Sequence, residues 1–123
     1  MKVVASLCLT GVLALPLPAL AADAAKGKTL FEACGKCHPV TAAGDSDLVG
    51  PTLKGIVGRK SASIGDFRYS SAMRASDITW TEANLKEYIT DPQAKVKGNR
   101  MALKSTFEPA EIDDIIAYLK TLK

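Results

Sequence analysis

The pattern of hydrophobic and polar positions along the chain predicts three helices and no strands. Apolar residues recur at helical spacing in residues 23–37, in residues 79–91 and from about Pro109 onward. The clearest amphipathic stripe lies in the third helix and consists of Ile112, Ile115, Ile116 and Leu119. Residues 39–78 are rich in Gly, Ser and Pro. A loop region of this length is expected when the loops wrap a group that serves as their core.

Capping residues set the expected ends of these helices. Asp23 is a suitable N-cap for the first helix. The Thr-x-x-Glu sequence from Thr79 to Glu82 is a capping box that opens the second helix, and Pro92 ends it. Pro109 is a favoured first residue for the third helix.

The start of the chain has the layout of a cleavable secretory signal. Lys2 precedes an apolar run at residues 3–15, which Pro16 and Pro18 interrupt. Residues 19–21 then supply the small-x-small sequence Ala-Leu-Ala. A short basic start, an apolar centre and a small-residue cleavage site are typical of export signals.

Cleavage after Ala21 divides the chain into a signal peptide, residues 1–21, and a single domain, residues 22–123, exported to a bacterial periplasm. An uncleaved anchor is disfavoured because the apolar run is shorter than the ~18 residues that span a bilayer. A mitochondrial presequence would be rich in Arg, which this segment lacks. Cys8 follows Leu7, a poor fit before a lipidated cysteine, so we expect Cys8 to leave with the signal.

Composition narrows the class of protein. The 123 residues fit one small domain, and 47% hydrophobic with 24% charged residues indicate a globular chain. Aromatic residues are only 6%, which leaves room for a bulky non-protein group in the core. A net charge of +3 is too small to indicate a nucleic-acid binder, and three cysteines are too few for a disulfide scaffold.

The sequence Cys34-Gly35-Lys36-Cys37-His38 is a C-x-x-C-H motif, the attachment signature of a c-type haem. Cysteines three apart lie one helical turn from each other, so their sulfurs can reach two vinyl groups on one porphyrin edge. The histidine that follows can then present its imidazole to the iron.

Three other interpretations of the motif are weaker. A thioredoxin-like redox pair needs a preceding strand and a βαβ unit, and no such pattern is present. A zinc site needs a fourth protein ligand, and no further Cys or His remains after residue 38. A plain disulfide between Cys34 and Cys37 is possible but leaves His38 unexplained.

His38 is the only histidine in the chain, so a second axial ligand has to be another residue type. Methionine is the usual alternative and raises the reduction potential. Met73 and Met101 are the candidates in the domain, and isolated methionines are more often core residues. The loop around Met101 favours this residue, and Met73 stays as the alternative.

Taken together, the motifs resemble a class I cytochrome c, close to the mitochondrial and bacterial c2 types, over nearly all of residues 23–123. The pieces that carry the resemblance, in chain order, are Cys34 to His38, Gly50-Pro51-Thr52-Leu53, Gly58-Arg59-Lys60, Tyr69, Thr79-Trp80, Tyr88, Gly98 to Met101 and Ile116 to Lys120. The resemblance implies an all-α, small single-domain fold of helices and long loops around one haem c, bound covalently through Cys34 and Cys37.

The family also implies roles for individual residues. Pro51 would accept a hydrogen bond from His38 through its carbonyl, and Tyr88 would lie near the sulfur of Met101. Gly27 would permit a close crossing of the first and last helices. The residues that would hold a buried haem propionate are Arg59, Tyr69 and Trp80. For Tyr69, Trp80 and Tyr88, ordinary core packing is the alternative interpretation.

Three positions depart from the family pattern. Met73 stands where the mitochondrial type has an asparagine near the haem. Asn99 replaces a threonine two residues before the ligand methionine, and Leu103 replaces an aromatic residue two after it. These departures leave Met101 as the expected ligand and concern the stability of its loop.

A haem iron with both axial positions filled has no open site for oxygen or peroxide, and no second histidine is left as an acid or base. We therefore expect a monomeric one-electron carrier and not an enzyme. The basic residues expected around the haem edge are Lys36, Lys54, Lys95, Lys97, Arg100 and Lys104. The acidic residues at the start of the last helix, expected away from that edge, are Glu108, Glu111, Asp113 and Asp114.

This asymmetry favours brief docking to acidic partner surfaces. The family's partners include bc1-type complexes, terminal oxidases, photosynthetic reaction centres and periplasmic dehydrogenases, and the chain could also serve one dehydrogenase as its dedicated acceptor. Nucleic acid and stable membrane insertion are not expected. Two other functions remain open at this point: a haem protein with a labile sixth ligand, and a haem-free thiol–disulfide protein.

Overall fold

Short helices joined by long loops make up the computed structural model, which describes residues 15–16, 20–42, 49–103 and 106–123. The helices are α1 (Ala24–Leu30), α2 (Glu32–Gly35), α3 (Ser71–Ala75), α4 (Glu82–Thr90), α5 (Pro92–Lys95) and α6 (Pro109–Leu119). The β-pairing in these ranges is a single antiparallel bridge between Lys60 and Thr79. The all-α class is confirmed. Most of the expected signal peptide lies outside the described residues.

The first predicted helix is divided in two at Phe31. The Asp23 cap is confirmed, because its Oδ1 accepts hydrogen bonds from the N–H groups of Ala25 and Lys26 at 2.8 and 3.1 Å. Phe31 follows α1, and its carbonyl accepts from the N–H of Cys34 as well as that of Gly35, each at 2.8 Å. The bond to Cys34 spans three residues, which tightens the turn between α1 and α2.

The predicted start of α4 was wrong by two residues. Thr79 is not the N-cap, because its backbone pairs with Lys60 and its carbonyl accepts from Asn84 Nδ2 at 2.8 Å. Thr81 caps the helix instead, with its Oγ1 accepting from the Asn84 N–H at 3.2 Å. The helix then begins at Glu82.

The segments predicted as loops contain two short helices, α3 and α5. Ser70 caps α3, since its Oγ accepts from the N–H of Met73 at 3.0 Å. Asp91 caps α5 through two such bonds of 3.0 and 3.1 Å, and Pro92 is the first residue of that helix. The predicted end of α4 at this point is confirmed. Helices of four or five residues carry too little periodicity to be found in a sequence.

The first and last helices cross in close contact at Gly27. A Cβ atom at this position would lie 1.8 Å from the backbone oxygen of Asp114, so only glycine fits. The expected close crossing at Gly27 is therefore present. The apolar stripe of α6 is the most deeply buried part of the core, with exposures of 0–4% at Ile112, Ile115, Ile116 and Leu119.

Asp114, one of the acidic residues expected away from the haem edge, has its side chain buried against α1. Its Oδ1 accepts the N–H of Asp23 at 2.7 Å, and its Oδ2 lies 3.2 Å from Lys26 Nζ. The hydrogen bond from Asp23 and the ion pair with Lys26 lower the pKa of the Asp114 carboxyl, against the opposing effect of burial. Asp114 therefore ties the start of α1 to α6.

None of the helices in the described ranges has the length and apolar character needed to cross a membrane.

Replacing Gly27 by alanine tests the helix crossing. We expect Gly27→Ala to lower the free energy of unfolding of the holoprotein by about 3 kcal/mol, because α1 and α6 must separate to admit the methyl group. The matched control is Gly65→Ala, where a Cβ would meet nothing within 4 Å. Denaturant titration of both variants measures the difference, and equal stabilities would contradict the close crossing.

Replacing Asp114 by asparagine tests how the contacts of its carboxylate with Asp23 and Lys26 contribute to stability as the pH falls. Because the folded-state pKa of Asp114 is lowered, its stabilisation is present above the unfolded-state pKa of about 3.9 and is lost as the pH falls through the folded-state value. Asp114→Asn should therefore be less stable than wild type near neutral pH and converge with it in acid. Asp113→Asn, which removes only a half-exposed surface pair with Lys86, is the control, and unfolding free energies across this pH range give the comparison.

Candidate haem site

An apolar cavity of about 450 Å³ occupies the centre of the described structure. Helices α2, α3, α4 and α6 contribute to its walls, together with the long loops that precede α3 and follow α5. The residues expected from the sequence that line it are Cys34, His38, Pro51, Arg59, Tyr69, Trp80, Tyr88 and Met101. Cys37, the remaining expected site residue, is exposed and is not among the lining residues.

The C-x-x-C-H motif forms one turn at the end of α2. The N–H groups of Cys37 and His38 both donate to the carbonyl of Cys34, at 3.0 and 2.9 Å. Both thiols are free in this part of the chain, with Cys34 half-buried and Cys37 exposed. Burial, followed by the neighbouring Cys37, raises the pKa of the Cys34 thiol. The turn therefore presents one thiol inside the cavity and one outside it.

His38 is held in one tautomer by the loop that follows the motif. Its Nδ1 lies 2.8 Å from the carbonyl oxygen of Pro51, which can only accept a hydrogen bond. Nδ1 therefore carries the proton, and Nε2 keeps a lone pair for a metal. Burial lowers the pKa of His38, with a smaller contribution from Arg59, while the Pro51 carbonyl opposes the shift. The imidazole is thus neutral and suited to bind iron.

Gly50 permits this contact, a role that the sequence analysis did not assign. A Cβ at Gly50 would lie 2.6 Å from Cε1 and 2.7 Å from Nδ1 of His38. The Gly50 N–H also donates to the Cys37 carbonyl at 2.8 Å. The chain therefore passes directly against the imidazole before it reaches Pro51. A glycine immediately before a proline was the available signal in the sequence.

Thr52 is a second residue that sequence reasoning missed. It is 5% exposed, and its hydroxyl donates to the Thr41 carbonyl and accepts from the Lys54 N–H at 3.1 Å. The bond to Thr41 joins the backbone that follows the C-x-x-C-H motif to the segment that contains Pro51. Thr52 thereby supports the backbone next to Pro51.

Arg59 and Trp80 are brought together by backbone pairing, since the Trp80 N–H donates to the Arg59 carbonyl at 2.8 Å. The Arg59 guanidinium donates to the carbonyls of Thr52 and Lys54, at 2.7 and 2.8 Å. A guanidinium has five N–H donors, so donors remain for a carboxylate in the cavity. Burial lowers the pKa of Arg59.

Tyr69 lines the same cavity as Arg59. Its hydroxyl oxygen accepts the N–H of Ile64 at 3.4 Å, which leaves the hydroxyl proton free to be donated. Burial raises the pKa of Tyr69, so the hydroxyl remains protonated at neutral pH. Arg59, Tyr69 and Trp80 therefore bring a cation, a hydroxyl and an indole to the lining of one cavity.

Met101 and Met73 both line the cavity. Met73 is 9% exposed within α3, and the Ser76 hydroxyl lies 3.9 Å from its sulfur. Met101 is half-buried in the irregular segment after α5, and its N–H donates to Asn99 Oδ1 at 2.7 Å. Position in the cavity alone does not distinguish the two sulfurs.

Tyr88 donates its hydroxyl to Asn99 Oδ1 at 3.2 Å. Burial raises the pKa of Tyr88 to about 12, so the hydroxyl keeps its proton. Asn99 is 7% exposed and makes contacts with α4, α5 and the Met101 segment. The sequence analysis identified Asn99 only as a departure from the family pattern. Its hydrogen bonds to Tyr88, Pro92 and Met101 are seen only in the structure.

The charges around the cavity are of one sign. Its described lining includes four basic residues, Arg59, Lys60, Arg68 and Arg100, and no acidic residue. Of the six basic residues expected at the haem edge, only Arg100 lines the cavity. Lys95 instead forms an ion pair with Glu87, and Lys104 lies outside the described residues.

The residues present fit a covalently bound haem. The apolar residues of the lining suit the faces of a porphyrin, and Arg59 and Tyr69 suit a propionate. His38 offers a nitrogen lone pair, and two free thiols lie beside it in the sequence.

Comparisons with known proteins agree with this fit. The family model "Cytochrome c" matches residues 24–123. Cytochrome c2 of Blastochloris viridis is 44% identical over 103 residues, which cover 84% of this chain and 80% of that protein. Cytochrome c-550 of Nitrobacter winogradskyi is 43% identical over 99 residues, covering 79% of this chain and 88% of that protein.

Among solved structures, cytochrome cH from Methylobacterium extorquens matches with a TM-score of 0.74 and 42% identity, covering 80% of this chain and 98% of that one. The only two cysteines within the residues of the family match are Cys34 and Cys37. The chain therefore belongs to the cytochrome c family, as an electron-transfer protein and not an enzyme, with one haem c attached covalently through cysteines.

Proposed function

We propose that this protein is a one-electron carrier whose haem is attached at Cys34 and Cys37 and ligated by His38 and Met101. The observation that carries the proposal is that one cavity is lined by His38, fixed in the Nδ1–H tautomer by Pro51, and by Met101. Haem iron held by an imidazole and a thioether exchanges one electron between its ferric and ferrous states, at a potential raised by the thioether.

The protein's part in this function is to hold the ligands and exclude water. Pro51 keeps the His38 ring from rotating, and the half-buried Cys34 fixes one edge of the haem. The buried apolar residues around the cavity, among them Ile56, Leu85 and Ile115, keep solvent away from both faces. With His38 and Met101 as its ligands, a bound haem would supply one-electron chemistry without an open position for substrate.

Arg59, Tyr69 and Trp80 are proposed to hold a haem propionate. A buried carboxylate needs donors or a cation to offset its desolvation. These residues supply a guanidinium, a hydroxyl and an indole N–H in the lining of one cavity. The two carbonyls bound by Arg59 keep its guanidinium in place.

Met101 is favoured over Met73 as the second ligand because of what holds each residue. Met73 is part of α3, where its N–H bonds to Ser70 and its sulfur is near the Ser76 hydroxyl. Met101 lies outside any helix, and its N–H is bound by the side chain of Asn99.

The basic rim of the cavity supports docking to acidic surfaces of redox proteins. Lys60 pairs with Asp77 and Arg59 donates to two carbonyls, which leaves Arg68 and Arg100 as the exposed basic residues of the cavity lining available to a partner. Such a field accelerates encounters without making them tight. The proposed partners are a bc1-type complex, a terminal oxidase, a reaction centre or a periplasmic dehydrogenase.

The sequence signals support export as part of the proposal. Residues 1–21 would be removed, and residues 22–123 would act in the bacterial periplasm as a monomer. This compartment suits covalent attachment, because a bound haem cannot be lost by dilution.

Replacing each methionine by leucine tests the ligand. Met101→Leu preserves side-chain volume but removes the sulfur. We expect it to abolish the ferric sulfur-to-iron charge-transfer band and to allow rapid carbon monoxide binding to the ferrous protein. Met73→Leu is the matched control and should leave both properties as in wild type. Loss of the band in Met73→Leu alone would assign the ligand to Met73.

Replacing the cysteines tests the attachment. We expect the Cys34→Ala, Cys37→Ala double variant to lose covalent haem, so that its denatured mass equals that of the polypeptide. Each single variant should keep one thioether bond, because the two sulfurs react with separate vinyl groups. Intact-mass spectrometry under denaturing conditions distinguishes these species, and covalent haem in the double variant would refute the proposed attachment.

A further inference from the structure

Asn99 is the most fully bonded polar side chain beside the cavity. Its amide nitrogen donates to the carbonyls of Pro92 and Val96, each at 2.8 Å. Its Oδ1 accepts the Met101 N–H at 2.7 Å and the Tyr88 hydroxyl at 3.2 Å. The side chain is 7% exposed, so water does not compete for these bonds.

The orientation of the amide follows from its partners. Carbonyl oxygens accept and cannot donate, so the carbonyls of Pro92, the first residue of α5, and of Val96, which follows that helix, require the NH₂ group to face them. Oδ1 must then face Tyr88 and Met101. Because an amide oxygen only accepts, the Tyr88 hydroxyl is the donor in its contact with Asn99.

This arrangement has two consequences for Met101. Its backbone is tied through one side chain to α5, an element with a fixed position in the fold. In addition, a hydroxyl has a single proton, so the Tyr88 hydroxyl that donates to Asn99 does not donate to the methionine sulfur. A threonine, the residue usual in the family at this position, lacks the NH₂ group and cannot bond both carbonyls.

We propose that Asn99 is the positioning residue for the Met101 ligand. It anchors the Met101 backbone to α5 and accepts the hydrogen bond of the Tyr88 hydroxyl. This inference rests on the proposed ligation of iron by Met101. Asn99 acts through Met101 and does not itself touch the iron.

Gln93 provides a matched control in the same loop. Its Oε1 accepts the Gly98 N–H at 3.2 Å, and its Nε2 donates to the Asn99 carbonyl at 3.0 Å. Gln93 therefore braces the loop without bonding to Met101 or Tyr88. A general loosening of the loop would follow from either substitution, whereas loss of ligand positioning would follow from only one.

The test compares Asn99→Ala with Gln93→Ala in the holoprotein, using two readouts. Hydrogen exchange of the Met101 N–H in the ferrous protein reports on the anchor. The rate of carbon monoxide binding to the ferrous protein reports on how often the sulfur leaves the iron. We expect Asn99→Ala to accelerate both by about tenfold, the change that corresponds to one net hydrogen bond. Gln93→Ala should stay within about twofold of wild type in both.

Asn99→Thr keeps the measurement available if Asn99→Ala does not take up haem. Its hydroxyl can accept the Met101 N–H but cannot tie it to both carbonyls, so both rates should lie between those of wild type and the tenfold change.

The outcomes separate this inference from the proposed function. A folded Asn99→Ala protein with wild-type rates, or equal acceleration by Gln93→Ala, overturns the positioning role. If the wild-type protein itself binds carbon monoxide at once and lacks the sulfur-to-iron band, the proposed ligation fails, and the positioning role fails with it.

Discussion

The hydrogen bond from His38 Nδ1 to the Pro51 carbonyl, 2.8 Å long, is the constraint on which the rest of the site depends. It joins the end of α2 to the loop region that lacks regular structure, and it requires a glycine at position 50 because the chain runs against the imidazole. The Thr52 hydroxyl accepts the Lys54 N–H, and the Arg59 guanidinium donates to the Thr52 carbonyl, so hydrogen bonds continue from Pro51 to Arg59. The tautomer of His38 and the position of Arg59 therefore share one support.

The part of the cavity that Met101 lines is held in a different way. No helix presents Met101, and its segment is fixed by an asparagine that reaches α4 and α5 at once. The family pattern has a threonine here, and the sequence alone therefore indicated a weakened loop. The structure indicates that the amide replaces the threonine with more bonds, because NH₂ and C=O can satisfy four partners together.

The sequence predicted the all-α class, the haem motif and the stripe of α6, because each depends on spacing within a few residues. It could not place Asp114, whose burial depends on α1 lying across α6 at Gly27. The cap of α4 was misplaced because Thr79 and Thr81 are equally suited to capping, and a long-range bridge to Lys60 decides between them. Asn99 and Gly50 were missed as contacts for the same reason: their partners are distant in sequence or defined only by the fold.

The central claim is that the chain supplies both axial ligands and leaves no open position at the iron. X-ray absorption at the iron edge of the ferric and ferrous holoprotein tests it most directly, because it detects the atoms bound to iron in each state. The account predicts one sulfur and five nitrogen neighbours in both states. An iron without a sulfur neighbour, or with an oxygen neighbour that appears in one state, would contradict the account.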